Sequence, residues 1–162
     1  MARAAVYTVV FFFLAPGANA GLVPWWLTGW DRPDGPVGLL DVLGAALVVV
    51  GLVAAIACFA RFVNEGSGTP APTAPTESLV VGGLYRHVRN PMYLAVAAVI
   101  GGEALVLRSA PVGIWLLVFM AAVWGFVHAY EEPALTRQFG AAYESYRSAV
   151  PGWWPRLQPY RG

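Results

Sequence analysis

The chain has 162 residues, of which 58% are hydrophobic and only 12% are charged. Soluble domains carry about 25% charged residues, so this composition indicates a protein whose solvent is largely lipid. The net charge of +1 gives no support for a nucleic-acid partner, and the single cysteine, Cys58, excludes an internal disulfide.

Four apolar segments follow one another along the chain, at residues 4–27, 37–63, 91–107 and 111–130. A spanning helix needs about 17–25 apolar residues, and backbone in lipid must satisfy its own hydrogen bonds, so these segments predict helices. We therefore predict an all-α fold, an integral membrane bundle of about four transmembrane helices that forms one membrane domain. Residues 1–63 would hold the N-terminal helices.

The first segment has two interpretations. A basic start, an apolar run and the sequence Ala-Asn-Ala at 18–20 fit a secretory signal peptide with its cleavage site. Apolar character continues beyond this point, however, and ends in Trp25, Trp26 and Trp30, which is typical of an aromatic belt on a transmembrane helix. Both interpretations leave the later segments in the same orientation.

The basic residues, all of them arginine, predict this orientation. With four spans and the N-terminus inside, only Arg32 and Arg108 of the ten fall on the outer side, which agrees with the positive-inside rule. We predict a multi-pass membrane protein whose polar clusters, at 83–93 and 131–135, both face the cytoplasm.

The sequence outside the apolar segments predicts a long loop and a C-terminal cytoplasmic helix that forms a cap. Residues 64–78 are rich in Gly, Pro, Ser and Thr and indicate an extended loop, either a plain linker or a lid over a pocket. Beyond Tyr130, helical spacing of apolar residues predicts a cytoplasmic amphipathic helix on the membrane or over the hairpin, with Pro133 in its first turn and Pro151 after its end. The residues with this spacing are Leu135, Phe139, Ala142, Tyr143, Tyr146 and Val150.

The two polar clusters could form one pocket, because only a short helical hairpin separates them. A helix that begins at Asn90 and Pro91 offers free backbone N–H groups to a ligand carboxylate. Glu131 or Glu132, at the mouth of the hairpin, could bind an ammonium or a sulfonium. The alternative is that the arginines of the first cluster are only positive-inside anchors. A pocket with these carboxylates, arginines and aromatic rings would suit a zwitterionic, cationic cofactor and an apolar substrate.

Two further ionisable residues are candidates. Glu103 lies inside the third apolar segment, and an intramembrane carboxylate is by default a functional candidate, although an ion pair with Arg108 is the structural alternative. His128, one turn before Glu132, is either a proton acceptor or a packing histidine. Two histidines and one cysteine, far apart in the sequence, give no support for a metal site.

Three motifs then occur in order, and together they resemble the isoprenylcysteine carboxyl methyltransferase and phospholipid methyltransferase superfamily over residues 77–156. The motifs are Leu79-Val80-Val81-Gly82-Gly83-Leu84-Tyr85, Arg89-Asn90-Pro91-Met92-Tyr93, and Glu131-Glu132-x-x-Leu135-x-x-x-Phe139-Gly140-x-x-Tyr143-x-x-Tyr146-x-x-x-Val150-Pro151. This resemblance implies S-adenosylmethionine (SAM) as the methyl donor, held on the cytoplasmic side by residues 64–162: the cofactor-binding loop, the hairpin and the cap.

The resemblance also implies which residues bind the cofactor, and Glu103 joins them as the intramembrane carboxylate. The set is Glu77, Ser78, Leu79, Val80, Tyr85, Asn90, Pro91, Met92, Tyr93, Glu103 and Glu131. The catalytic candidates are His128, Glu132 and Arg89. Val127 stands where the eukaryotic isoprenylcysteine enzymes carry an arginine that contacts substrate, which weakens the case for an isoprenylcysteine carboxylate.

The implied reaction is methyl transfer to a lipophilic or membrane-embedded acceptor: an isoprenylcysteine-like carboxylate, a thiol or a lipid amine. Two alternatives stay open. Membrane sterol reductases share a similar C-terminal pattern, but their NADPH phosphates would want more basic residues than Arg86 and Arg89. The chain could also be a non-catalytic membrane assembly protein that keeps the fold.

Overall fold

The structure, a computed structural model, describes residues 16–65 and 78–161. Within these ranges every regular element is a helix, so the all-α prediction is confirmed there. After a π-helical turn at Ala18–Leu22, the helices are α1 (Val23–Thr28), α2 (Leu39–Glu65), α3 (Pro91–Val106), α4 (Ala110–Phe126), α5 (Glu132–Phe139) and α6 (Ala141–Ala149). A 3₁₀ turn covers Gly83–Arg86, and a π-helical turn at Val127–Glu131 joins α4 to α5.

Two helical stretches are long and apolar enough to cross a membrane, Leu39–Phe62 and Ala110–Phe139. Only 22% and 17% of their most apolar windows are buried in the protein, whereas the core helix of a soluble protein would be mostly buried. Helix α3 has 16 residues and rises about 24 Å, less than the roughly 30 Å hydrocarbon core. Four spans therefore stay a prediction, and half of the first predicted segment, residues 4–15, lies outside the described residues.

Helices α2 and α3 pack at very short range through glycine. A Cβ atom added to Gly102 would lie 2.5 Å from the carbonyl oxygen of Gly44, and one added to Gly51 would lie 2.7 Å from that of Ala95. The pairing of Gly44 with Gly102 and of Gly51 with Ala95 makes the two helices antiparallel. Small residues at such positions let helix backbones approach closely where the hydrophobic effect gives no driving force.

Helices α3 and α4 form the predicted hairpin. Arg108 takes a left-handed conformation in the connection (φ +48°), and the Ser109 hydroxyl caps α4 by accepting a hydrogen bond from the Val112 amide. The helices then pack through a core that includes Val96, Ile100 and Phe119. The start of α3 and the end of α4 therefore lie at the same end of the hairpin, which we call the motif end.

The opposite end of the hairpin is tied by a buried carboxylate. Asp41 accepts hydrogen bonds from the Arg32 Nε (3.1 Å), the Arg108 Nη2 (2.9 Å) and the Gly38 amide (2.7 Å). Arg108 thus pairs with Asp41, and the alternative partner predicted for it, Glu103, keeps a buried Oε2 atom that has no hydrogen-bond partner among the described residues.

The C-terminal region agrees with its prediction at one point and differs at another. Pro133 lies in the first turn of α5, as predicted, although the helical stretch runs without interruption from Ala110 to Phe139. The π-helical turn before it gives a physical reason: a wider turn accommodates a proline that lacks an N–H and crowds the preceding turn. The single predicted helix is, however, broken into α5 and α6 at Gly140, whose φ of +52° is in the left-handed region.

The apolar face of this region packs on the segment before α3. Tyr143, Tyr146 and Val150 are buried, and they contact Leu79 and Val81. Helix α6 ends at Ala149, two residues before the predicted stop at Pro151. The predicted position of this region on the membrane surface stays a prediction.

Candidate functional site

Two hydrogen bonds join the polar clusters at the motif end. The Tyr93 hydroxyl donates to the Glu131 Oε2 across 2.8 Å, although the two residues are 38 positions apart. The Arg89 Nη1 donates to the Glu132 Oε1 across 2.6 Å. The predicted meeting of the two clusters is thus present in the structure.

Arg89 is the most highly connected side chain of this site. Besides Glu132, it donates from Nε to the carbonyl oxygen of Val150 (2.9 Å) and from Nη1 to the Tyr143 hydroxyl (3.2 Å). Burial opposes its charge, but the hydrogen bond and the charge of Glu132 outweigh burial, so the pKa of Arg89 lies above its usual range. The guanidinium is a fixed positive charge whose hydrogen bonds connect α5, α6 and the residue that follows α6, Val150.

Glu132 is held between two guanidinium groups. Only 6% of the residue is exposed, and its second oxygen, Oε2, lies 3.5 Å from the Arg147 Nη2. Both oxygens of this carboxylate are therefore engaged by arginine side chains. This geometry favours a structural role for Glu132 over the predicted role in proton transfer.

The C-terminal tail, residues 150–161, holds the segment that precedes α3. The Arg89 and Asn90 amides donate to the carbonyl oxygens of Pro151 (2.9 Å) and Gly152 (3.2 Å). Further along, the Arg156 amide donates to His87 O, and the Tyr160 amide to Arg86 O, each across 2.9 Å. Sequence reasoning missed this ladder, because backbone hydrogen bonds leave no side-chain signal.

Asn90 and Pro91 open α3 as predicted, with Pro91 as its first residue. Asn90 is 7% exposed, makes no side-chain capping bond, and its Nδ2 has no hydrogen-bond partner in the described part of the chain. A buried donor without a partner is costly unless a ligand or water completes it. The unpaired amide therefore fits a ligand that brings a hydrogen-bond acceptor to the motif end.

Tyr85 lies in the protein core beside the site. It is 7% exposed, and its ring packs edge-on against Phe62 with ring centroids 5.6 Å apart. Its carbonyl oxygen accepts a 2.7 Å hydrogen bond from the Tyr146 hydroxyl. Burial raises the pKa of Tyr85 well above its usual value, so the phenol stays neutral. Little of this ring is left for a ligand.

Of the other predicted cofactor residues, three pack in the hydrophobic core and one is exposed. Val80 and Met92 share the buried cluster of Tyr85, and Leu79 packs against the tyrosines of α6. Ser78 is exposed, and its hydroxyl donates to the carbonyl oxygen of Glu65. Glu77 lies outside the described residues.

Two predicted residues are not brought into the cluster. Glu103 follows Tyr93 by ten residues along α3, a rise of about 15 Å, and therefore lies toward the opposite end of the hairpin. His128 is exposed, packs against Trp124 with ring centroids 4.4 Å apart and ring planes inclined by 33°, and donates from Nδ1 to the Trp124 carbonyl oxygen. Their predicted roles stay predictions without support from this geometry.

A family model described as phospholipid methyltransferase matches residues 39–142, which is more than half of the chain and includes both polar clusters. The tail that forms the backbone ladder lies beyond the matched residues. A comparison with curated proteins gave no match. The two polar clusters meet at the motif end, and the family model covers both of them. The chain therefore belongs to the phospholipid methyltransferase family.

Proposed function

We propose that the protein transfers a methyl group from SAM to a lipophilic acceptor at the motif end, which faces the cytoplasm. Membership of the family makes the chain a methyltransferase by descent. The observation that carries the proposal is the hydrogen bond from Tyr93 to Glu131, together with the unpaired Nδ2 of Asn90, three residues before Tyr93. Together these groups offer an anion, a buried donor and an aromatic ring.

This set complements a zwitterionic donor. The Tyr93 hydroxyl fixes one oxygen of Glu131, so the carboxylate is oriented to accept from an ammonium or a ribose hydroxyl. Asn90 would donate from Nδ2 to an acceptor atom of the cofactor. When bound, SAM supplies a methyl group that is already activated as a sulfonium. The protein then has to hold two reactants in line and exclude water.

The acceptor side of the proposal rests on exposed apolar surface. Phe126, the last residue of α4, and Tyr130, in the π-helical turn after it, are 42% and 49% exposed and stack on each other with ring centroids 5.3 Å apart. A lipid-like substrate would reach the motif end along this surface from the bilayer. Glu132 is paired with arginines and His128 is exposed, so the geometry favours an acceptor that needs no protein base.

Isothermal titration of the detergent-solubilised protein with S-adenosylhomocysteine (SAH), the product of the donor, tests this function. We expect saturable binding by the wild type and about tenfold weaker binding by Glu131→Gln, because a hydrogen bond to a charged group is lost. Glu144→Gln is the matched control, since Glu144 is exposed on α6 and should leave binding unchanged.

Three other outcomes of these binding experiments would contradict part or all of the proposal. Folded wild-type protein that gives neither heat nor a thermal shift up to millimolar SAH would contradict the proposal. Thermal protection by NADPH and not by SAM or SAH would instead support the reductase alternative. Equal binding by Glu131→Gln and the wild type would remove Glu131 from the cofactor site.

A further inference from the structure

Trp153 lies beside Tyr93, although the two residues belong to the tail and to α3. Their ring centroids are 6.4 Å apart, and the ring planes are inclined by 33°. Both residues are half-buried. The next residue, Trp154, is 81% exposed. The tail therefore directs one tryptophan to the motif end and the other away from it.

The backbone ladder places Trp153 there. The Asn90 amide donates to the carbonyl oxygen of Gly152, the residue just before Trp153. A Cβ atom on Gly152 would lie 3.2 Å from the Arg89 Nη2 and 3.6 Å from the unpaired Asn90 Nδ2. The first distance is too short for ordinary contact, so glycine allows the tail to approach this closely. Trp153 thus follows directly on the residue whose carbonyl oxygen accepts from the Asn90 amide.

We propose that Tyr93 and Trp153 form an aromatic wall that binds the sulfonium of the methyl donor, with Glu131 as the nearby anion. This inference rests on the proposed function and adds a residue beyond the family match, which ends at residue 142. A cation is attracted to an aromatic face within about 6 Å of its centroid, most strongly by tryptophan. With centroids 6.4 Å apart, one cation can satisfy this limit for both rings.

The electrostatic arrangement supports a cation at this place. Tyr93 carries the ring and, through its hydroxyl, the contact with the Glu131 carboxylate. Tyr85, which the family resemblance placed among the cofactor-binding residues, is buried against Phe62. Trp153 therefore takes the place of the second ring. Because SAH has a neutral thioether where SAM has a sulfonium, the wall would bind the donor more tightly than the product and so favour product release.

The test compares SAM with SAH, because a merely structural tryptophan would affect both ligands alike. Dissociation constants are measured by isothermal titration in detergent for the wild type, Trp153→Leu and Trp154→Leu. In Trp153→Leu we expect SAM to bind roughly tenfold more weakly and SAH to bind within about twofold of the wild type. Trp154→Leu, the matched control, should leave both constants unchanged.

Trp153→Phe keeps a ring in the tail and serves where the leucine variant fails to fold. Phenylalanine attracts cations less strongly than tryptophan, so SAM binding should weaken selectively, by about threefold. An unchanged ratio of the SAM and SAH constants in these variants would overturn the aromatic wall and leave the proposed function standing. Absence of binding of both ligands to the folded wild type would overturn the two together.

Discussion

Removing Arg89 should destabilise the protein more than removing any other arginine of the motif end. Its Nη1 lies 2.6 Å from the Glu132 Oε1, and the two side chains are only 14% and 8% exposed. In Arg89→Leu, the buried Glu132 carboxylate would keep only Arg147 as an ionic partner. The Arg147 Nη2 lies 3.5 Å from the Glu132 Oε2, and the Arg147 side chain is 45% exposed. Breaking a buried pair on one side costs about 3–5 kcal/mol, and the remaining arginine places our expectation near 3 kcal/mol.

A double-mutant cycle separates the ion pair from the other contacts of Arg89. The hydrogen bonds of Arg89 to Val150 and Tyr143 are lost equally in Arg89→Leu and in the double variant with Glu132→Leu, so they cancel. What remains is the coupling between the two charges, for which we expect about 2 kcal/mol. The double variant should therefore be less destabilised than the sum of the single variants.

The free energy of unfolding is measured in mixed micelles by titration with a denaturing detergent, followed by tryptophan fluorescence. Arg147→Leu is the control, because its exposed and longer ion pair should contribute only about 0–1 kcal/mol. Additivity of the Arg89 and Glu132 variants within about 0.5 kcal/mol would refute the reasoning. An equal effect of Arg147→Leu and Arg89→Leu would refute it as well.

Three further predictions concern the fold. Gly102→Ala should lower the free energy of unfolding by about 1–3 kcal/mol, because its Cβ would meet the α2 backbone, whereas Gly113→Ala has free space and should raise it by up to about 1 kcal/mol. Tyr146→Phe should cost about 1–3 kcal/mol because it leaves a buried carbonyl unpaired, while the same change at exposed Tyr130 should cost nothing measurable. Asp41→Asn should lower the unfolding midpoint but leave SAH affinity unchanged, since it loses ion pairs only at the opposite end of the hairpin; weaker SAH binding would count against that separation.

The meeting of the two polar clusters could be predicted from the sequence because the information is local. Two apolar segments joined by three residues must form an antiparallel hairpin, and motifs at its outer ends then share one end. Pro91 marks the start of α3 by its fixed φ and missing N–H. The pairing of Tyr93 with Glu131 follows from this topology.

The rest of the site depends on information that a single sequence does not carry. Trp153 and Trp154 are adjacent and identical in type, and only the backbone ladder decides which one turns toward Tyr93. The two arginine partners of Glu132 could not be predicted for the same reason, since they come from other parts of the chain. The break at Gly140 had a signal in the glycine itself, but helical spacing continued through it.

The most direct measurement is an experimental structure of the full chain with SAH, solved in lipid or detergent. We expect density for the ligand at the motif end, within hydrogen-bond distance of the Asn90 Nδ2 and of Glu131, with its sulfur facing Tyr93 and Trp153. Density for SAH at another place, for instance beside Glu103 at the far end of α3, with the Asn90 amide still unpaired, would contradict the account.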